Sequence, residues 1–324
     1  MPPVKAKKKT ARRPAAAKDA VKAPSARMIA KQVRDLCAKA EAARADSDEK
    51  ASRVFLEQVL KLDPKCAEAI WWMGDYWHTV GKRETAIKFY RRYLREHPGD
   101  AEALHMIASL GGRTPPKRAS DDYLRLHFDS YAEDFDKSLV GDLQYQAPKV
   151  LRKLIDRARS TKAPKADVCD IGCGTGLVGL ELKSLARTLT GVDLSRKMVT
   201  LSRKRGIYDR LSVGEVTKFL RANKGRFDLV VAADVLIYFG DITVLFNAAS
   251  EALRPGGMFA FTVEARRGGT YHLTVSGRYN HNPVWLRKVG AAAGLAEKRV
   301  QKARLRYELG KAVMGHYAVL EKKA

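Results

Sequence analysis

The residues best spaced for chemistry are acids and glycines that recur at the ends of short apolar runs. Asp170, Gly172, Gly174 and Gly176 lie in Val168-Cys-Asp-Ile-Gly-Cys-Gly-Thr-Gly-Leu-Val-Gly179. Val168, Cys169 and Ile171 predict a short buried strand. The three glycines lack a Cβ, so the loop backbone can take positive φ and come close to a ligand. Leu177, Leu180, Leu182 and Leu185 then follow at near-helical spacing, over about 177–187. A ligand can rest on the amides of that helix start, at the carboxyl end of the strand. Leu189-Thr-Gly-Val-Asp193-Leu194 predicts a second strand ending in an acid, 23 residues after Asp170 and within reach of a ribose diol. Glu215, with Val216, follows a third strand at 211–213, and Asp234 closes a fourth at 227–232. A strand, a glycine loop and repeated strand-end acids predict a site for a nucleoside-bearing cofactor.

Two patterns share the loop. Gly174-Thr-Gly-Leu-Val-Gly179 fits G-x-G-x-x-G, the dinucleotide fingerprint. Starting at Asp170, the same loop reads D-x-G-x-G-x-G. An acid at the strand end repels a pyrophosphate but suits the cationic amino end of S-adenosylmethionine (SAM). The second pattern resembles the first motif of class I SAM-dependent methyltransferases. That resemblance implies a Rossmann-like, doubly wound, seven-stranded α/β sheet. It further implies that Asp170 holds the methionine amino end, Asp193 and Leu194 the ribose, and Glu215 and Val216 the adenine. Gly172, Gly174 and Gly176 make room, and Asp234 lies beside the cofactor. Many relatives carry Asp where this chain has Glu215. Leu253-Arg-Pro-Gly-Gly257 matches the family's entry into strand five, expected at 258–263. Phe128-Asp-Ser-Tyr131-Ala-Glu-Asp-Phe135-Asp136 resembles the F-D-x-Y-A-x-x-F-D segment that closes over the cofactor in small-molecule members, which makes Tyr131 a lid residue. Arg299–Leu305 and Val313–Leu320 read as a closing antiparallel pair, with Lys302, Arg304 and Arg306 on one face.

Three regions are expected. Residues 1–27 carry nine Lys and Arg against Asp19 and lack periodicity, which predicts a disordered basic tail. It reads either as a solvated tail, which we favour, or as a non-specific polyanion-binding arm. Residues 28–112 read as helical, with Pro64-Lys-Cys-Ala-Glu-Ala69 recurring as Pro98-Gly-Asp-Ala-Glu-Ala103, an offset of 34. This resembles one complete tetratricopeptide (TPR) repeat with half-repeats on either side, too few to stand alone, so the segment is expected to dock on the rest. Trp71 and Trp72 cannot both face inside one helix, so one of them is expected either in that docking contact or in a site for a protein partner. Residues 113–324, after the Gly111–Pro116 break, form the methyltransferase domain, with lid and leading helices at 121–158. The whole resembles predicted bacterial methyltransferases with an N-terminal TPR segment.

The net charge of +25 favours acidic partners and says nothing of specificity. No apolar run reaches the ~18 residues of a membrane span. Cys37, Cys66, Cys169 and Cys173 lack zinc-site spacing; they read as reduced, with no metal and a cytoplasmic location. The turn Asp234-Val-Leu-Ile lacks the prolines of base-amine methylating enzymes, and no cysteine follows Cys173, so neither turn nor nucleophile supports base methylation. A small-molecule or protein acceptor, methylated on O, N or activated C, is expected. Its site is expected after strand five, where Tyr271, His272, Arg278, Tyr279 and His281 cluster. Tyr279, His281 and His272 are the catalytic candidates, Tyr271 and Arg278 the substrate candidates. Two rival functions fit less well: a non-catalytic TPR adaptor with a SAM-sensing domain, and a nicotinamide-dependent oxidoreductase.

Overall fold

The computed structural model describes residues 25–308 and 310–323, so the expected basic tail lies almost wholly outside the described residues. The chain divides into two compact units, one ending at Tyr76 and the other running from Trp77 to Ala324. The first holds α1 (Ala26–Ala45), α2 (Glu49–Leu62) and most of α3 (Ala67–Thr79). Ser25 and Asp48 cap α1 and α2 by accepting from the Met28 and Ala51 N–H groups. Leu56, Val59, Ile70 and Met73 supply buried apolar bulk. Trp72 lies under the Arg44 guanidinium, 3.2 Å from ring centroid to Cζ, so its face is covered within its own unit.

The second unit opens with α4 (Arg83–Glu96), α5 (Ala101–Ser109) and α6 (Asp121–Tyr131). The Gly111–Pro116 break falls inside it. A π-helical turn (Lys137–Asp142) and α7 (Ala147–Ala158) lead into β1 (Ala166–Ile171), α8 (Leu177–Leu182), β2 (Ala186–Asp193) and α9 (Arg196–Lys204). β3 (Arg210–Val213), α10 (Val216–Arg221), β4 (Phe227–Ala232), α11 (Thr243–Ala252) and β5 (Leu253–Ala265) continue the alternation. The chain ends with β6 (Tyr271–Leu273), β7 (Tyr279–His281), α12 (Pro283–Ala292), β8 (Leu295–Glu308) and β9 (Lys311–Lys322).

β3, β2, β1, β4 and β5 run parallel in that order, as the doubly wound reading requires. β9 pairs antiparallel with β5, and β8 with β9, which is the expected closing pair. Among the described residues the sheet has nine strands, where seven were expected. The additional two form the β6–β7 hairpin, in the stretch after strand five where the acceptor site is expected. β5 outruns β4, and its last residues, Glu264 and Ala265, pair with Asn280 and His281 of β7. The hairpin therefore continues the sheet edge past the carboxyl end of β4. Strands of three residues are too short to show an alternating pattern, which is why the sequence does not announce them.

The helices before the sheet hold this hairpin. His105 Nε2 donates to Gly277 O at 2.8 Å, and its ring stacks on Tyr123 at 4.3 Å. His78 Nε2 donates to Val275 O at 2.7 Å. The core lies on both faces of the sheet: Cys169, Ile171, Val230 and Phe259 on one side, Val168, Leu229, Val231 and Ala260 on the other.

Candidate active site

The loop after β1 turns on glycines with φ of 64° at Gly172, 51° at Gly174 and 96° at Gly176. Any Cβ at Gly172 would collide with the Val235 side chain. Gly174 N–H donates to Asp193 Oδ2 at 2.8 Å, and Ser195 N–H donates to Asp193 Oδ1 at 2.9 Å. One carboxylate thus ties the glycine loop to the end of β2. Burial raises the Asp193 pKa above the usual carboxylate range, and those N–H bonds oppose the shift.

Above the carboxyl ends of the parallel strands lies a cavity of about 310 Å³. Gly172, Gly174, Asp193, Leu194, Glu215 and Val216 line its β1–β3 side. Asp234, Tyr238, Arg278 and Arg306 line the side beyond β4. Phe128, Tyr131 and Phe135 come from α6 and the segment after it. Their rings meet edge to face, Phe128 on Phe135 at 6.2 Å and Tyr131 on Phe135 at 5.7 Å, giving the cavity an aromatic wall.

Most of the residues expected around a cofactor come together here, with two exceptions. Asp170 does not line the cavity. Cys169 and Ile171 face one core layer, so alternation along β1 sends Asp170 to the other, beside Val168. There it is 1% exposed and accepts from the Tyr208 hydroxyl at 2.6 Å. Burial pushes its pKa up to about 7; the Tyr208 bond opposes the shift and the Asp193 charge adds to it. Gly176 is also off the cavity; it starts α8, with Arg205, Tyr208 and Ser202 packed 3.1–3.2 Å from where a Cβ would stand. Glu215 does line the cavity, but both its oxygens are engaged as the cap of α10, accepting from Thr217 N–H at 3.0 Å and Lys218 N–H at 2.8 Å.

The acceptor residues are where the sequence reading needs correction. Tyr279 is fully buried, and its hydroxyl donates to Pro116 O at 2.6 Å. His281 is fully buried; its Nε2 donates to Phe239 O at 2.8 Å, and its ring stacks on Trp285 at 5.9 Å. Burial lowers its pKa to about 4. Tyr271 packs on Trp285 at 5.3 Å, and His272 is exposed on β6. None of these four reaches the cavity; they build the hairpin and fasten it to the sheet. Arg278, in the turn before β7, does reach it.

Several cavity residues were missed or undervalued. Arg306, on the closing strand β8, is 2% exposed and donates to Asp234 Oδ2 at 3.1 Å, to Glu308 Oε1 at 2.8 Å and to Glu264. Arg278 donates to the same Glu308 oxygen. Burial raises the Glu264 pKa against the pull of both arginines. At Glu308 burial acts upward too, but the arginines prevail and its pKa falls. Burial lowers the His127 pKa to about 4, helped by Arg278 and His105, so the imidazole is neutral at the cavity wall. Burial and the Asp234 charge raise Tyr145, so its hydroxyl keeps its proton. The only sequence signal for Arg306 was its place in a basic run that reads as a surface face.

Residues 169–261 match the family model of a methyltransferase domain. The chain is 33% identical over 170 residues to methyltransferase-like protein 27 of Homo sapiens, covering 48% of this chain and 68% of that protein. It is 29% identical over 126 residues to the ubiquinone biosynthesis O-methyltransferase of Thiobacillus denitrificans, covering 36% of this chain and 53% of that enzyme. The chain thus spans about half the length of that relative. Its fold is similar to that of the 1,6-didemethyltoxoflavin-N1-methyltransferase of Burkholderia thailandensis, a structure with S-adenosylhomocysteine bound, at a TM-score of 0.50 and 19% identity. That likeness covers 62% of this chain and 88% of the other. With the glycine loop and the strand-end acids around one cavity, the chain belongs to the methyltransferase domain family and is a SAM-dependent methyltransferase.

Proposed function

We propose that the protein methylates a small molecule carrying an anionic group, held in the half of the cavity beyond β4. The observation that carries this reading is the position of Arg278. SAM would lie over β1, β2 and β3, with Asp193 on the ribose, Glu215 and Val216 beside the adenine, and Gly172 and Gly174 giving it room. Held there, it would supply the methyl group for an acceptor in the half of the cavity that Asp234 lines. Among the cations there, Arg118 is paired with Asp121 at 2.7 Å, and Arg306 is held by three carboxylates. Arg278 shares Glu308 and faces the Tyr238 hydroxyl, so its five-donor fork keeps N–H groups to spare. Tyr238, whose pKa burial raises, and Tyr145 add protonated hydroxyls. Arg278, Tyr238 and Tyr145 together place donors on this wall, which fits a carboxylate or similar anion on the acceptor.

Methyl transfer is an in-line displacement at a sulfonium, so the protein's part is alignment and water exclusion, which the aromatic wall supports. Tyr131 would act from that wall. The helices α2 to α5 read as the TPR-like segment; the docking of α5 on the hairpin supports a packing role, and a protein partner would take their outer faces. Cysteines with no disulfide fit a cytoplasmic protein.

The test is to incubate the protein with methyl-labelled SAM and with cell extract split into acidic small molecules, neutral small molecules and protein. Label in the acidic fraction, lost with Arg278→Gln, supports the reading. Label confined to protein or to neutral compounds overturns it.

A further inference from the structure

Of the three aspartates in the Phe128–Asp136 segment, Asp129 lies in the last turn of α6 and Asp136 follows the turn after it. Each leaves the cavity wall for a different loop of the cofactor side. Asp129, near the end of α6, accepts from Ser195 Oγ at 2.5 Å and from Lys197 N–H at 3.3 Å. Ser195 is fully buried, and it is the residue whose N–H holds Asp193 at 2.9 Å. Asp136, just ahead of the π-helical turn, accepts from Thr175 Oγ1 at 2.5 Å and pairs with Arg205. Arg205 Nε donates to Thr175 O at 2.5 Å, so the same two side chains grip the glycine loop from both ends of one residue. Between the two aspartates stand Tyr131 and Phe135, which line the cavity. Asp129 thus joins the segment to the loop after β2, and Asp136 joins it to the loop after β1.

We infer that Asp129 and Asp136 are positioning residues, a two-point clasp that fastens the aromatic wall over SAM and sets how fast cofactor and product exchange. The inference rests on SAM lying between those loops. A purely structural tie would put the carboxylates on scaffold far from the ligand; these hold Thr175 of the glycine loop, which lines the cavity, and Ser195, which in turn holds the cavity residue Asp193. When SAM has become S-adenosylhomocysteine, the product leaves only as the clasp opens.

The full chain is tested with S-adenosylhomocysteine as a non-reacting probe. Its dissociation rate is read by stopped-flow displacement with excess SAM, alongside thermal midpoints. Asp129→Asn and Asp136→Asn should each raise the dissociation rate about 10-fold, as loss of one partly exposed charge-assisted bond implies. Thr175→Val removes the Asp136 bond from the loop side. It should give the same acceleration as Asp136→Asn, and the double variant should be no faster than either, because both cut one link. Asp136→Glu, which keeps the charge, should recover part of the wild-type rate. Dissociation rates within twofold of wild type in both aspartate variants would overturn the clasp, as would rates that rise only in step with a falling thermal midpoint. Wild-type protein that fails to bind the probe would instead count against the placement of the cofactor. Should Asp136→Asn not fold, Thr175→Val decides the question alone.

Discussion

Arg306 Nη1 lies 3.1 Å from Asp234 Oδ2, joining a strand at the sheet's far edge to the turn after β4. Asp234 has a φ of 54°, a left-handed conformation that few non-glycine residues hold without support. That support is visible. Asp234 N–H donates to Thr262 Oγ1 at 2.8 Å, the Thr262 hydroxyl donates back to Asp234 Oδ1 at 2.9 Å, and Arg306 takes the remaining oxygen. Arg306 also neutralises Glu264, which is 8% exposed. The closing hairpin is therefore part of the cavity and not only a sheet edge.

Arg306→Met follows directly. Removing one partner of a buried ion pair leaves carboxylates uncompensated, so we expect a loss of about 3–5 kcal/mol in denaturant unfolding. The loss should shrink in acid. Burial raises the folded-state pKa of Glu264, so its carboxyl takes up a proton more readily in the fold than in the unfolded chain. Its stabilising contribution is complete below the ordinary Glu pKa and fades as pH rises through the folded value. With Arg306 gone that fading steepens, and unfolding curves at pH 5 and pH 8 should diverge more than in wild type.

Asp170 gives a cleaner pH signature. Its folded pKa is pushed up to about 7, chiefly by burial, from an ordinary 3.8. A raised carboxyl pKa means stability that is fully present below about 4 and lost as pH climbs through about 7. Asp170→Asn keeps an acceptor for the Tyr208 hydroxyl and cannot ionise. We expect it to flatten the decline in stability between pH 4 and pH 8, with a difference of a few kcal/mol at the alkaline end. Urea midpoints at intervals across that range check it; parallel curves for the two proteins would refute the assignment.

At Asp193 the expectation concerns binding. The carboxylate lines the cavity while holding Gly174 and Ser195 by their N–H groups. Asp193→Ala removes both an acceptor for a ribose diol and the tie that shapes the loop. SAM affinity by calorimetric titration should fall ~10-fold to a few hundredfold, from about 1.5–3 kcal/mol per charge-assisted bond. Unchanged affinity in a folded variant would move the ribose elsewhere.

What the sequence could reveal follows the range of the interactions involved. The glycine turn, the strand-end acids and the β/α alternation are local, and each was readable from a window of a few residues. The face of Asp170 was readable too, since Cys169 and Ile171 take the opposite one; that Tyr208 arrives there was not. Arg306 meets Asp234 across 72 residues and Glu264 across 42, and no local pattern encodes such a pairing. Tyr279 and His281 misled because polar rings near an expected active edge are also what a three-residue hairpin needs to anchor itself. Backbone carbonyls of Pro116 and Phe239, invisible in a sequence, absorb both of their donors.

The hairpin then supplies a contrast between adjacent residues. Arg278 faces the cavity, whereas Tyr279 faces Pro116. Arg278→Gln should leave SAM affinity within about threefold, because Arg278 lies beyond β4 from the cofactor loops. Label transfer into the acidic small-molecule fraction at sub-saturating dilution should drop ~10-fold or more, the cost of one charge-assisted bond. Tyr279→Phe should behave in the opposite way. It removes the hydrogen bond from the Tyr279 hydroxyl to Pro116 O, which costs about 0.5–1.5 kcal/mol of stability, while the transfer rate per folded molecule stays within about twofold. His281→Ala should resemble Tyr279→Phe, with a larger stability loss of about 2–4 kcal/mol, because it also opens a cavity under Trp285. Denaturant midpoints paired with initial rates separate these outcomes. If Tyr279→Phe slowed transfer in fully folded protein while Arg278→Gln did not, the acceptor would have to contact the hairpin's buried rings, and the cavity beyond β4 would not be its site.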